Sequence, residues 1–237
     1  MRKIGIPFWK VGDNSFGSTL SYIMFAERFG EVVPLMPTHV IKEDLDLIIL
    51  PGGPDVDPAR YNERPGWFTG KADAHKEYFD IFYLPQYIEA GVPIFGICRG
   101  HQTLAVHFGG KLIQHMSHET NDIAKDPYSA MHDIIFTENF RNVEEFTEEI
   151  SLPVNSRHHQ AVDEMFLPDE LQVLAVHRSF GKQNRPGVSD GTVEMMAHKT
   201  LPIVSMQMHP EDMYETDTNQ FVGRILRRLM TTKESIL

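Results

Sequence analysis

Short apolar runs broken by Gly- and Pro-rich turns mark the first half of the chain. K-I-G-I-P-F-W (residues 3–9) predicts a first strand, Val32–Leu35 a second and Leu45–Leu50 a third. The third, with D-L-I-I-L around Asp46, lacks alternation and reads as buried on both faces, as in a parallel sheet. Helical spacing intervenes at Leu20, Ile23, Met24 and Ala26–Phe29, predicting a helix over Ser18–Phe29 ended by Gly30. A second helix is expected from about Asp73 to Ala90, with a kink or break at Pro85. Val92–Ile97 then reads as a buried strand that passes at once into Leu104, Ala105 and Phe108 at helical spacing. This order predicts an α/β fold: a doubly wound, mostly parallel sheet with helices on both faces.

The second half changes pattern. Lys111–Gln114, His132–Phe136 and Leu171–Val176 read as strands, and Val143–Glu149 as a short acidic helix. Thr192–Ala197 alternates like an antiparallel strand, so a small antiparallel addition to the sheet is expected. I-V-S-M-Q-M-H-P-E (203–211) reads as a strand ending in a histidine. V-N-S-R-H-H-Q-A-V (154–162) is a polar turn, 179–191 an exposed loop and Phe221–Met230 a closing amphipathic helix. With no internal repeat or linker, residues 1–237 are expected to form one domain.

Charge and cysteine usage narrow the function classes. Thirty-three acidic residues against twenty-two basic ones leave a net charge of −11 without a basic block. Arg224, Arg227, Arg228 and Lys233 read as one solvated face, so nucleic acid is not an expected partner. Cys98 is the only cysteine, which excludes an intramolecular disulfide framework. With neither a signal peptide nor a long apolar stretch in view, no membrane partner and a reducing, cytoplasmic location are the expectation.

That lone cysteine sits in G-I-C-R-G, where the strand turns into the helix. Flanking glycines at a strand-to-helix turn are the pattern of a nucleophile elbow, which holds a reactive side chain out at the carboxyl end of a sheet. The helix N-terminus favours thiolate over thiol there, and backbone strain at Cys98 is expected. A cysteine nucleophile needs a base and a group to orient it. His209 ends a predicted strand, and Glu211 follows across Pro210, so the carboxylate can fold back on the imidazole. His158 and His159 are rival bases, placed in a polar turn with no carboxylate at short range and better read as having a substrate-contact or structural role. His115 and His118 have metal-like spacing, but nothing completes a zinc pattern, so no metal is expected. Backbone N–H groups of Arg99 and of Gly53, in the turn P-G-G-P, are the natural donors for a tetrahedral oxyanion.

Together these motifs resemble the class I glutamine amidotransferase-like superfamily, and within it the γ-glutamyl-γ-aminobutyrate hydrolase family. L-D-L-I-I-L-P-G-G-P-D-V-D-P resembles that family's oxyanion strand and loop, and G-I-C-R-G-H-Q its elbow. V-N-S-R-H-H-Q-A resembles its substrate-side turn, and D-G-T-V-E with M-Q-M-H-P-E its last strands and catalytic pair. The resemblance implies a flavodoxin-like core, a Cys98–His209–Glu211 triad and an oxyanion hole from Gly53 and Arg99. Gln102, Gly52, Ser156, His158 and His159 become substrate contacts. It implies cofactor-free hydrolysis of a γ-glutamyl amide, or of glutamine with ammonia passed to a separate synthetase partner. A homodimer also fits. Met208 stands where the hydrolases often have Trp, 180–189 looks like an insertion, and His101 is common in ammonia-donating relatives, whereas Arg99 is more typical of hydrolases.

Overall fold

The computed structural model describes residues 1–237 apart from 13–14, 37–39, 43, 117–130, 144–150 and 179–190. The first half forms β1 (Lys3–Pro7), β2 (Trp9–Gly12), β3 (Ser15–Gly17), α1 (Leu20–Glu27), β4 (Glu31–Leu35) and β5 (Leu47–Leu50). It continues through α2 (Ala74–Phe82), α3 (Leu84–Glu89), β6 (Ile94–Ile97) and α4 (Arg99–His107). The second half contributes β7 (Leu112–Ile113), β8 (Met131–Phe136), α5 (Glu138–Val143), β9 (Ser151–Asn155) and β10 (Ala161–Val162). It closes with β11 (Leu171–Arg178), β12 (Gly191–His198), β13 (Ile203–Met206) and α6 (Asp217–Thr232).

One nine-stranded sheet runs β4-β1-β5-β6-β13-β12-β11-β8-β9. Its first five strands are mutually parallel, and β12 to β9 extend it antiparallel. The parallel strands β5, β6 and β13 are buried at every position, which explains their lack of alternation. Successive residues nonetheless feed opposite layers. Leu47 and Ile49 pack with Tyr22, Phe25 and the Phe221–Leu229 face of α6. Ile48 and Leu50 pack with Phe79, Leu84, Tyr87 and Leu104 of α2, α3 and α4. Helices therefore cover both faces, and the sheet is doubly wound.

Pro85 does break the expected long helix: α2 ends at Phe82 and Pro85 opens α3 in the first turn, where its missing N–H costs nothing. Two features escape the pattern. The β2–β3 hairpin has no clear alternation, and β9 carries Pro153, which is tolerated because β9 is the sheet's edge. The polar turn 154–162 is thus shorter than its motif, with β9 and β10 claiming its ends. Beyond Val143, which ends α5, the expected helix to Glu149 lies outside the described residues, as do His118 and loop 180–189.

Candidate active site

Three neighbouring strands deliver the candidate residues. β5, β6 and β13 lie side by side and parallel, so the segments after Leu50, Ile97 and Met206 leave the same edge of the sheet. This is where open α/β sheets bind ligands. The segment after β6 is the elbow. Cys98 stands at φ 51°, ψ −105°, a conformation that costs a residue with a Cβ roughly 1–3 kcal/mol. The surroundings enforce it. A Cβ on Gly96 would lie 2.8 Å from the Gly100 backbone, and one on Gly100 would lie 2.3 Å from Leu50 O. Arg99 anchors the turn from below, its guanidinium donating to Glu77 and Asp80 at 2.6 Å each. Cys98 itself is a free, buried thiol.

His209 comes three residues after β13 rather than at its end. The chain leaves the sheet at Met206, and Pro210, which has no N–H to give a ladder, starts a 3₁₀ turn that brings Glu211 back beneath the imidazole. His209 Nδ1 lies 2.7 Å from Glu211 Oε1, with Glu211 almost fully buried. Asn155 clamps the same residue through its backbone, accepting from His209 N–H at 2.8 Å and donating to His209 C=O at 2.9 Å. Burial alone would lower the His209 pKa, but the charges of Cys98 and Glu211 and hydrogen bonds to both outweigh it and raise it to about 10. If His209 serves as the acid that protonates a leaving amine, activity is retained below that pKa and lost as pH rises through it. Glu211→Gln removes one of the anions that raise it. The alkaline limb of kcat/KM should therefore move toward neutrality, with a loss of kcat about one to two orders of magnitude smaller than that of removing the nucleophile. A pH–rate profile of the two proteins checks both points.

The segment after β5 is Pro51-Gly52-Gly53-Pro54. Gly52 is wedged between the other two segments: a Cβ there would meet Tyr22 Oη at 2.5 Å, His209 Cε1 at 3.2 Å and Cys98 Cβ at 3.5 Å. Its N–H donates to Tyr22 Oη at 3.0 Å, and its C=O accepts from Lys76 Nζ at 2.9 Å. The Gly53 N–H has no acceptor among the described residues. Tyr22 Oη also lies 3.3 Å from His209 Nδ1. Burial, then the charges of Glu211 and Cys98, push its phenol well above the usual value, so it remains a neutral hydroxyl. Tyr22, Lys76 and Asn155 escape sequence reading. Tyr22 looks like one more apolar-face residue of α1, Lys76 like a surface charge on α2, and Asn155 like part of a polar turn.

The remaining candidates divide. Gln102 Nε2 donates to Gln160 C=O at 2.9 Å and to Gln207 Oε1 at 3.1 Å, so its amide nitrogen ties α4 to the 155–160 turn. Ser156 and His158 are buried, and His158 faces inward, with Nδ1 3.0 Å from Gln160 O and Nε2 3.9 Å from the fully buried Glu194. His159 is the open member of the pair. Its Nε2 lies 3.0 Å from Asp55 Oδ1 and its Nδ1 3.3 Å from His115 Nδ1, while Phe68 stacks on His115 at 4.1 Å. His101 is core: burial lowers its pKa to about 3, and its ring spans Ser205 Oγ and Val193 O.

Comparison with known proteins adds to this geometry. Residues 20–211 match the peptidase C26 family model. The chain belongs to the peptidase C26 family. It is accordingly a class I glutamine amidotransferase-like, hydrolase-type enzyme. Within that setting it is 34% identical to the glutamine amidotransferase-like protein YvdE of Lactococcus lactis subsp. lactis, over 89% of this chain and 86% of the relative. It is 33% identical to a glutamine-hydrolyzing GMP synthase subunit of Thermococcus kodakarensis, over 69% of this chain and 65% of the relative. The solved PurLQS structure from Thermotoga maritima superposes with a TM-score of 0.58 at 18% identity, covering 97% of each chain, and shares the fold.

Among the described residues, His209, Glu211 and Asp212 are the one group of three metal-capable side chains near enough to share an ion. Arg157 already pairs with Asp212 and lies 3.8 Å from Glu211, so a guanidinium fills the charge role there. No helix among the described residues is long and apolar enough to cross a membrane.

Proposed function

We propose that this enzyme hydrolyses γ-glutamyl amide bonds of small γ-glutamyl amines, such as γ-glutamyl-γ-aminobutyrate, through a γ-glutamyl thioester on Cys98. The observation that carries the reading is the convergence of Cys98 and the His209–Glu211 pair beside Gly52, where one added Cβ would lie within 3.5 Å of both Cys98 Cβ and His209 Cε1. The thiolate attacks the γ-carbonyl carbon, a C–S bond forms, and the carbonyl electron pair moves to oxygen. N–H groups of Gly53 and Arg99 receive that oxyanion. Collapse breaks the C–N bond, and His209 gives its Nε2 proton to the leaving amine. Water then attacks the thioester, His209 takes its proton, and the C–S bond breaks to return the thiolate. Glu211 holds the imidazole throughout and supports its charge. No cofactor enters this balance, and Cys98 must stay a free thiol, which suits a reducing, cytoplasmic setting.

A leaving group larger than ammonia is supported by the space beyond Asp55 and His159. An open pocket of about 460 Å³ is lined by Glu63, Leu112, Gln114, His115, Asp163 and Phe166, and His115 connects it to His159. The second reading is a glutaminase that serves a separate synthetase. It draws on the GMP synthase relative and on the exposed Tyr78, Ile81 and Phe82 of α2, which would suit a docking face. Released glutamate, assayed with glutamine and a panel of γ-glutamyl amines, separates the two. The hydrolase reading expects kcat/KM to be higher for amines with a tail. Glutamine as the best substrate, with a rate that rises on adding a synthetase, would favour the second.

A further inference from the structure

The C=O and N–H of a trans peptide lie in one plane and point in opposite directions. No cis peptide occurs among the described residues, so whatever grips the Gly52 carbonyl also sets the heading of the Gly53 N–H. That carbonyl is gripped by Lys76. The lysine is unusual for its residue type in being only 7% exposed, and it is held in turn. Its Nζ sits 3.4 Å from the centre of the Trp9 ring, which the β2–β3 hairpin supplies. Its stem crosses Gly53 so closely that a Cβ there would lie 2.7 Å from Lys76 Cε. Two adjacent glycines leave this peptide free to rotate unless something fixes it. Tyr22 fixes the peptide before it, through the Gly52 N–H.

The geometry points to Lys76 as the positioning residue of the oxyanion hole, anchoring the Gly52 carbonyl so that the Gly53 N–H is presented on the opposite, substrate-facing edge of the peptide. The inference rests on the thioester reading above. A hydrogen bond on the carbonyl also polarises the amide and strengthens its N–H as a donor. Burial, with the Arg99 guanidinium adding, lowers the Lys76 pKa to about 7, against the pull of Asp80, Asp73 and Cys98. The amine keeps N–H donors whether or not it carries the extra proton, so the anchor does not depend on its charge.

Lys76→Met in the full chain, compared with Lys76→Arg, tests this with two probes of Cys98. An aldehyde analogue of the γ-glutamyl group takes the thiolate at its carbonyl carbon and builds an oxyanion. Iodoacetamide alkylates the sulfur with loss of iodide and builds none. Lys76→Met should lose about 10- to 100-fold in kcat with little change in KM, and a similar factor in aldehyde affinity. The limiting alkylation rate, measured where the thiol is fully ionised, should stay at the wild-type value. Lys76→Arg should recover most of the loss. Trp9→Leu, which removes only the cap on the ammonium, should show the same split in smaller measure and guards against a Lys76 variant that fails to fold. Lys76→Met with wild-type kcat and aldehyde affinity would overturn the inference, and so would parallel loss of aldehyde binding and alkylation. Wild-type protein that releases no glutamate from any γ-glutamyl amide would instead overturn the substrate reading.

Discussion

Cys98→Ala should reduce γ-glutamyl hydrolysis to background while the protein remains folded. Alanine keeps the Cβ, so the elbow bears the same unfavourable φ of 51° and loses only the sulfur. Losing the nucleophile of a concerted triad costs about six orders of magnitude in kcat, because base and orienter then have nothing to activate. The elbow's conformation yields a sharper companion result. Cys98→Gly should be equally dead yet resist unfolding by about 1 kcal/mol more than Cys98→Ala. Glycine relieves roughly 1–3 kcal/mol of strain and gives back part of it as unfolded-chain entropy. Denaturant midpoints of the two variants measure the difference. Equal stabilities would mean that the strain at Cys98 is absent.

The largest stability effect should come from Gly100→Ala, in the first turn of α4. An added methyl would sit 2.3 Å from Leu50 O and 2.8 Å from Leu50 Cβ. Neither contact is the far end of a flexible side chain, so α4 must move off β5. Overpacking of this kind costs about 3 kcal/mol or more. The displacement acts on function too, since Leu50 leads directly into Pro51-Gly52-Gly53 and α4 carries the Arg99 amide. A large drop in thermal midpoint should therefore accompany a fall in kcat, whereas Gly109→Ala, where the backbone needs φ 98° but nothing lies within 4 Å, should lose stability with kcat retained. Gly100→Ala with wild-type stability would contradict the close α4–β5 contact.

The sequence was legible where local chemistry and fold coincide. The elbow could be read because G-x-C-x-G states in five residues what the backbone does. Buried strands could be read because β5, β6 and β13 sit in a parallel sheet that demands unbroken apolar runs. His209 and Glu211 were legible because both sides of their contact lie within three residues, joined by a proline. What stayed hidden is long-range. Tyr22 reaches His209 across 187 positions and Lys76 reaches Gly52 across 24, and no spacing rule connects either pair. The setting of His158 is hidden in the same way: its neighbour in the fold, Glu194, is 36 residues downstream by the numbering, so the contact does not show in a polar turn with two adjacent histidines. Pro153 disguised β9, because proline argues against a strand except at the edge that the chain alone does not reveal.

The central claim is that Cys98, activated by His209 and Glu211, carries the γ-glutamyl group. Its most direct test is mass spectrometry of protein quenched by acid during turnover of a γ-glutamyl amine. A γ-glutamyl adduct is expected on the peptide containing Cys98 and on no other. That adduct should build up in Glu211→Gln if hydrolysis of the thioester slows more than its formation, and should be absent from Cys98→Ala. Steady release of glutamate by Cys98→Ala at the wild-type rate, or an adduct carried by a different residue, would contradict the claim.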